Sequence, residues 1–264
     1  MDLGIRGRVA LIGASGRGLG LATAERLAME GCRVALCDRD GDVLDGAAQS
    51  VRAAGGEETE VFAYETDLTD AGSIDEMVLS VRRDLGPVSI LVTNSGGPPP
   101  GQFDAATDEK WVHAFHLTFM SAVRLIRAVL PDMKEQGWGR IINFTSRSLK
   151  EPIPNLIISN SVRLAVGGMA KTLAAEVAQY GITVNNLCPG VTSTDRAIEL
   201  AAARAAKKGL TAEQELAATA NSIPMGRLAR PEEQAAATAF LASDLAGYIT
   251  GVSLLVDGGA VRAL

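Results

Sequence analysis

The stretch "LIGASGRGLGLATAERLA", residues 11–28, decides the fold. An apolar run, "RVALIG" (8–13), passes into a turn crowded with glycine, Gly13-Ala14-Ser15-Gly16-Arg17-Gly18-Leu19-Gly20, and then directly into a segment with helical apolar spacing. Glycines let the backbone approach a ligand closely, and the helix that follows offers free amides and the positive end of its dipole to an anion. A bare glycine cluster is often only a structural turn. A strand, a turn and a helix in immediate succession point further, to the pyrophosphate of a dinucleotide.

The same alternation continues along the chain. "RVALCD" (33–38), "ETEVFAYE" (58–65), "VSILVT" (88–93), "GRIINFT" (139–145), "ITVNNLC" (182–188) and "VSLLVD" (252–257) read as further strands. Their near-continuous apolar character suits strands covered on both faces, as in a parallel sheet. Amphipathic segments such as "GLATAERLAMEG" and "DVLDGAAQSVRAAGG" lie between them, the latter closed by a glycine pair. No linker, repeat or low-complexity tract breaks the rhythm, so 264 residues imply one doubly wound α/β domain. Residues 191–222, Ala-rich and longer than a simple connection, interrupt the pattern and read as a substrate lid.

Bulk composition narrows the function. Aromatics at 4% and a net charge of −6 argue against nucleic acid, which asks for stacking platforms and a positive field. Cys32, Cys37 and Cys188 have no metal-ligand spacing and read as reduced thiols of a cytoplasmic protein. The N-terminus "MDLGIRGRVALIGASG" enters the glycine turn at once and has neither the shape of a signal peptide nor the length of a membrane span.

The second strand ends in Asp38, about twenty residues after the glycine turn, where an acidic side chain accepts from adenosine ribose hydroxyls and repels a 2′-phosphate. That favours NAD. Arg17 and Arg39 stand where guanidinium groups can bind a 2′-phosphate, which leaves NADP open, and Asp38 can also be read as the start of the "DRDGD" turn.

Further motifs give the chain a family likeness. "TDLTD" carries Asp67 and Leu68, "LVTNSGG" carries Asn94, Ser95 and Gly96, and "NNLCPGVTST" carries Pro189, Gly190, Val191, Thr192 and Thr194. With the glycine turn and "YITGVSLLVDGG" (248–259), these resemble, in order and spacing, the short-chain dehydrogenase/reductases. Within that family the chain is most similar to the 3-oxoacyl-acyl-carrier-protein reductase-like group. The resemblance implies a single Rossmann-type domain over residues 1–264, with a seven-stranded parallel sheet flanked by helices. It also implies a dinucleotide held by Gly13, Ser15, Arg17, Gly18, Leu19, Asp38, Arg39, Asp67 and Leu68 at one end. Asn94, Ser95, Gly96, Arg163 and the Pro189–Thr194 segment would hold the other. A homo-oligomer, by the family's habit a tetramer, would pack through two long helices (about 107–130 and 159–179) and the last strand.

The resemblance breaks at the catalytic set. The family's serine is present as Ser146 in "INFTSRS", but the tyrosine position holds Ser159, the lysine position Arg163 and the helix asparagine position Thr118. Arg163 can hold ribose hydroxyls and favour a nearby anion, yet it does not give up a proton. Ser159 is a poor acid/base beside a phenol of pKa about 10, and with Asn160 it reads equally well as a helix start. At 100° per residue, His116 and His113 point about 200° and about 140° away from Thr118, toward a surface or interface. Tyr64, Tyr180 and Tyr248 lie in or beside elements the family does not use for catalysis. Arg147, Lys150 and Arg196 are placed to meet an acidic substrate group, or are solvated charges. The first reading is therefore an NAD(P)-dependent oxidoreductase acting on a carbonyl or secondary alcohol of a small substrate. The alternative is a dinucleotide-binding pseudoenzyme serving as a sensor or partner subunit. Neither nucleic acid nor a membrane is an expected partner.

Overall fold

Each apolar run forms a strand because both of its faces find cover. In the computed structural model, which describes residues 1–263 with the side chains of Ala203 and Lys207 apart, Ala10 and Ile12 point to one core while Val9 and Leu11 point to the other. The strands are β1 (Val9–Ile12), β2 (Arg33–Asp38), β3 (Val61–Glu65), β4 (Ile90–Thr93), β5 (Gly139–Phe144), β6 (Ile182–Pro189) and β7 (Ser253–Val256). They form one seven-stranded sheet in the order β3-β2-β1-β4-β5-β6-β7, with every adjacent pair parallel. The expected strands are all present, with ends that differ from the expected ones by at most three residues.

The helices are α1 (Gly18–Met29), α2 (Gly41–Gly55), α3 (Ala71–Asp84), α4 (Asp108–Ala114), α5 (Ser121–Gln136), α6 (Ile157–Val177), α7 (Asp195–Lys208), α8 (Ala212–Asn221) and α9 (Pro231–Leu241). Those supplying Leu27, Leu44 and Ala239 (α1, α2, α9) cover one face of the sheet. Those supplying Ile74, Leu125 and Ala170 (α3, α5, α6) cover the other. The stretch 191–222 becomes α7 and α8, packed against each other.

Two features of the long helix escape local reading. A π-helical turn, Phe115–Met120, joins α4 to α5, and the helix runs through Pro131 to Gln136 instead of stopping near 130. A proline inside a helix costs about 3 kcal/mol. Leu125, Val129 and Met133, all nearly inaccessible, bury their side chains on both sides of that proline and offset the cost. Gly137, left-handed at φ 62°, then ends the helix. The apolar face of α5 is thus taken up by the core.

β1 sits between β2 and β4, so the chain reverses its direction of travel across the sheet at β1 and β4. At such a switch point the loops leaving the carboxyl ends diverge and open a crevice. Gly13 and Asn94 are the first residues after those two strands.

Candidate active site

The glycine turn is stitched to its neighbours from below. The Gly13 amide donates to the Val92 carbonyl at 3.0 Å, and a Cβ on Gly13 would stand 2.4 Å from the Asn94 carbonyl oxygen. Asn94 donates its side-chain amide to the Ala14 carbonyl at 3.1 Å. Ser15 is fully buried and its hydroxyl binds the Ile12 carbonyl (2.9 Å) and the Cys37 amide (3.0 Å), so it serves the turn from inside. Gly20 is required as glycine, because a Cβ there would lie 2.3 Å from the Ala14 carbonyl oxygen.

Ala14 occupies the position where the resembling family has glycine, and it is left-handed at φ 44°. That region costs an L-residue about 1 kcal/mol or more. Part of the gain from glycine is lost to the greater freedom of the unfolded chain. Ala14→Gly is therefore expected to stabilise the protein by about 0.5–1 kcal/mol, read as a rise in thermal midpoint of about 1–4 °C.

Above the stitching the turn is open. Arg17, the N-cap of α1, makes no side-chain cap bond, and no acidic residue lies in the first turn, so the leading amides of α1 are free for an anion. A Cβ on Gly18, at φ 61°, would meet only the Thr194 side chain, at 3.7 Å. The glycine turn and the end of the Pro-Gly segment thus approach each other at Gly18 and Thr194. Gly96 is similarly open, with Leu117 the nearest neighbour of a Cβ at 3.6 Å. Helix-start amides left free beside glycines that carry no side chain suit the pyrophosphate of a dinucleotide.

At the carboxyl end of β2, Asp38 accepts the Gly16 amide at 3.2 Å through Oδ2. Arg17 does not stand free: its Nη2 donates to Asp40 Oδ2 at 2.8 Å. Asp67 accepts the amide and hydroxyl of Thr69 (2.8 and 2.7 Å), and these bonds hold its carboxyl below the usual range, with Arg39 adding a smaller pull. Leu68 turns its side chain into the core.

Ser146 follows β5. Its Oγ accepts the Ser148 amide at 3.0 Å, capping the short turn 147–149, and this leaves the hydroxyl hydrogen free to donate. Arg163 comes from α6, one helical turn beyond Ser159. Its Nε donates to Ser159 Oγ at 3.2 Å, and its Nη1 donates to the carbonyls of Phe144 (3.2 Å) and Thr145 (2.9 Å). Burial lowers the Arg163 pKa from its ordinary value, but an arginine stays charged. Among the described residues no carboxylate lies within 4.0 Å of it. Its Nη2 faces Gly97, where a Cβ would be 3.4 Å away. Asn160 is structural, bonded to the main chain of Ile153. Thr118 lies in the π turn, buried against α6, with its hydroxyl unpaired.

The Pro-Gly segment is set by β7: the Gly190 amide donates to the Val256 carbonyl, and a Cβ on Gly190 would come within 2.6 Å of Asp257 Cα. Thr192 is buried, and Val191 lines a separate cavity of about 340 Å³ with Ile223, Met225 and Leu255. Thr194 caps α7 through the Ala197 amide. His113 and His116 line an open cleft of about 540 Å³ with Thr69, Asp108, Glu109 and Val112. Tyr64 binds Asp84 (3.0 Å), while Tyr180 and Tyr248 are exposed. All three cysteines are free and buried, and burial pushes the thiols of Cys32 and Cys37 up to about 12. Asp40 carries no signal in the sequence, because its partner lies 23 residues away.

A family model described as enoyl-(acyl carrier protein) reductase matches residues 13–261. The 3-oxoacyl-[acyl-carrier-protein] reductase of Haemophilus influenzae is 34% identical over 97% of this chain and 98% of its own. The 2,3-dihydro-2,3-dihydroxybenzoate dehydrogenase of Bacillus subtilis is 32% identical over 97% of each. The crystal structure of L-sorbose reductase from Gluconobacter frateurii, complexed with NADPH and L-sorbose, has a TM-score of 0.95 and 37% identity over 100% of both chains. With the glycine turn, the switch-point crevice and the serine after β5 all in their places, the chain belongs to the short-chain dehydrogenase/reductase family.

Proposed function

We propose that this protein is an NAD(P)-dependent oxidoreductase acting on a carbonyl or secondary alcohol of a small substrate that carries an acidic group. The observation that carries the reading is Ser146, whose oxygen is held by the Ser148 amide so that its hydrogen is free for a substrate oxygen. A fixed cation, Arg163, is anchored to the carbonyls of Phe144 and Thr145, the two residues before Ser146. The relatives support redox chemistry with a nicotinamide dinucleotide, and the 34% identity to a 3-oxoacyl-[acyl-carrier-protein] reductase supports kinship with that group. No finding favours a non-catalytic sensor.

A bound nicotinamide dinucleotide supplies or accepts the hydride. The chain's own residues do the rest. Ser146 donates a hydrogen bond to the reacting oxygen and stabilises the charge that develops there. Ser159 and Arg163 stand at the positions the family gives to tyrosine and lysine. Arg163 contributes a permanent positive field and, through Nη2, a donor for a ribose hydroxyl. Because it donates to Ser159 Oγ, the Ser159 hydroxyl keeps its own hydrogen for a substrate or a water. Neither residue is a ready acid, so water carries the proton. Arg147 and Lys150 follow Ser146 and have no carboxylate within 4.0 Å among the described residues, which suits an anionic substrate group.

The test is calorimetry with NADH and NADPH, then a panel of ketones and alcohols with and without a carboxylate or phosphate. NADH is expected to bind more tightly, because Asp38 stands against a 2′-phosphate. Tighter NADPH binding reverses that preference, and a panel with no turnover removes the enzyme reading. A homo-oligomer, of the tetrameric kind, is also proposed. The exposed apolar side chains of Val112, Phe115 and Leu164, on α4, the π turn and α6, are candidates for the contact between subunits. Light scattering at micromolar concentration is expected to give a multiple of 27.5 kDa, and a monomer rejects it.

A further inference from the structure

Asp40 precedes α2, in the place where an aspartate ordinarily caps a helix through its carboxylate. It does not cap this one. Its Oδ2 instead accepts Arg17 Nη2 at 2.8 Å, across 23 residues of sequence. The Asp40 amide donates to Asp38 Oδ1 at 3.3 Å, and Asp38 Oδ2 accepts the Gly16 amide at 3.2 Å. Gly16, Arg17, Asp40 and Asp38 therefore close a hydrogen-bonded ring at the carboxyl ends of β1 and β2.

That ring contributes little to stability. The two side chains of the ion pair are 59% and 43% exposed, and exposed pairs contribute about 0–1 kcal/mol or nothing measurable. Its consequence is positional. Arg17 is the cation of the phosphate turn, one residue from the amide that binds Asp38, and so within the neighbourhood of a 2′-phosphate on the adenosine ribose. Paired to Asp40, its charge is partly offset and its Nη2 is directed to the residue that precedes α2. Glu65, opposite Asp38 in the β2–β3 register, adds a further carboxylate at the same edge.

We propose that Asp40 is a positioning residue that sets the choice of cofactor: by holding Arg17 it withdraws that guanidinium from a 2′-phosphate and turns the site toward dinucleotides with two free ribose hydroxyls. This rests on the reading that the crevice holds a nicotinamide dinucleotide.

The test is fluorescence titration of the full chain with NADH and with NADPH at fixed ionic strength, with circular dichroism as a check on folding. Asp40→Ala is expected to raise NADPH affinity about three- to fivefold, the most that releasing an exposed ion pair supplies, and to change NADH affinity by less than about twofold. The gain is expected to shrink as salt is added, since the charges are exposed. Asp40→Glu keeps the pair and should behave as the wild type. Arg17→Ala in the Asp40→Ala background should abolish the gain. An unchanged NADPH affinity, an equal change for both dinucleotides, or a gain that survives Arg17→Ala overturns the proposal. Wild-type protein that binds neither dinucleotide removes the cofactor reading itself, a result distinct from all of these.

Discussion

Ser146→Ala is expected to lower kcat by about 10²- to 10³-fold, the usual cost of removing one donor to a developing oxyanion. NADH affinity should stay within about twofold of the wild type, because the proposed partner of the hydroxyl is the substrate oxygen and not the dinucleotide. The fold should feel a smaller effect. Ser146 Oγ accepts the Ser148 amide and so caps the turn 147–149, and losing such a cap costs about 1 kcal/mol. Steady-state kinetics on whichever substrate the panel identifies, beside a thermal melt, separates the two consequences. A variant with wild-type kcat would mean that the reacting oxygen is bound elsewhere.

Arg163→Ala is expected to act on stability, cofactor and rate together. The guanidinium is the donor for the carbonyls of Phe144 and Thr145, residues only 6% exposed, and for Ser159 Oγ. Hydrogen bonds to a charged group contribute about 1.5–3 kcal/mol each, and buried acceptors left without a donor are costly. A loss of about 2–4 kcal/mol of stability follows. If Nη2 also holds the nicotinamide ribose, NADH affinity should fall by about ten- to a hundredfold. Denaturant titration and calorimetry read the two losses separately. Unchanged affinity in a folded variant would confine Arg163 to scaffolding β5. The complementary experiment puts both family groups in, as Ser159→Tyr with Arg163→Lys. This double variant is expected to gain activity on simple ketones, with a pH optimum set by the new phenol. No gain with fold and binding intact would mean that the pocket has been reshaped around the serine and arginine.

Much of this was legible from local sequence. The glycine turn, Asp38, Ser146 and the Pro-Gly segment are written in short motifs, each attached to the end of one strand, and the parallel sheet then brings those ends to one edge. The i,i+4 spacing of Ser159 and Arg163 likewise announces their contact, because side chains one helical turn apart meet. Ser15 shows the limit of motif reading. The sequence puts it in the phosphate turn, and only its complete burial, with its hydroxyl engaged by Ile12 and Cys37, shows that it faces inward.

What the sequence determined by itself was the order of strands and helices, the two-faced burial of the sheet and the identity of the groups at its carboxyl edge. Hydrophobic period and turn chemistry are local properties, and they act on a few residues at a time. What only the tertiary structure decided depends on neighbours distant in the chain. Core burial by Leu125, Val129 and Met133 carries a helix through Pro131, the carbonyls that end β5 capture Arg163, and Asp40 leaves its helix cap for Arg17. In each case a local preference of about 1–3 kcal/mol is overridden or redirected by contacts that exist only once the sheet has assembled.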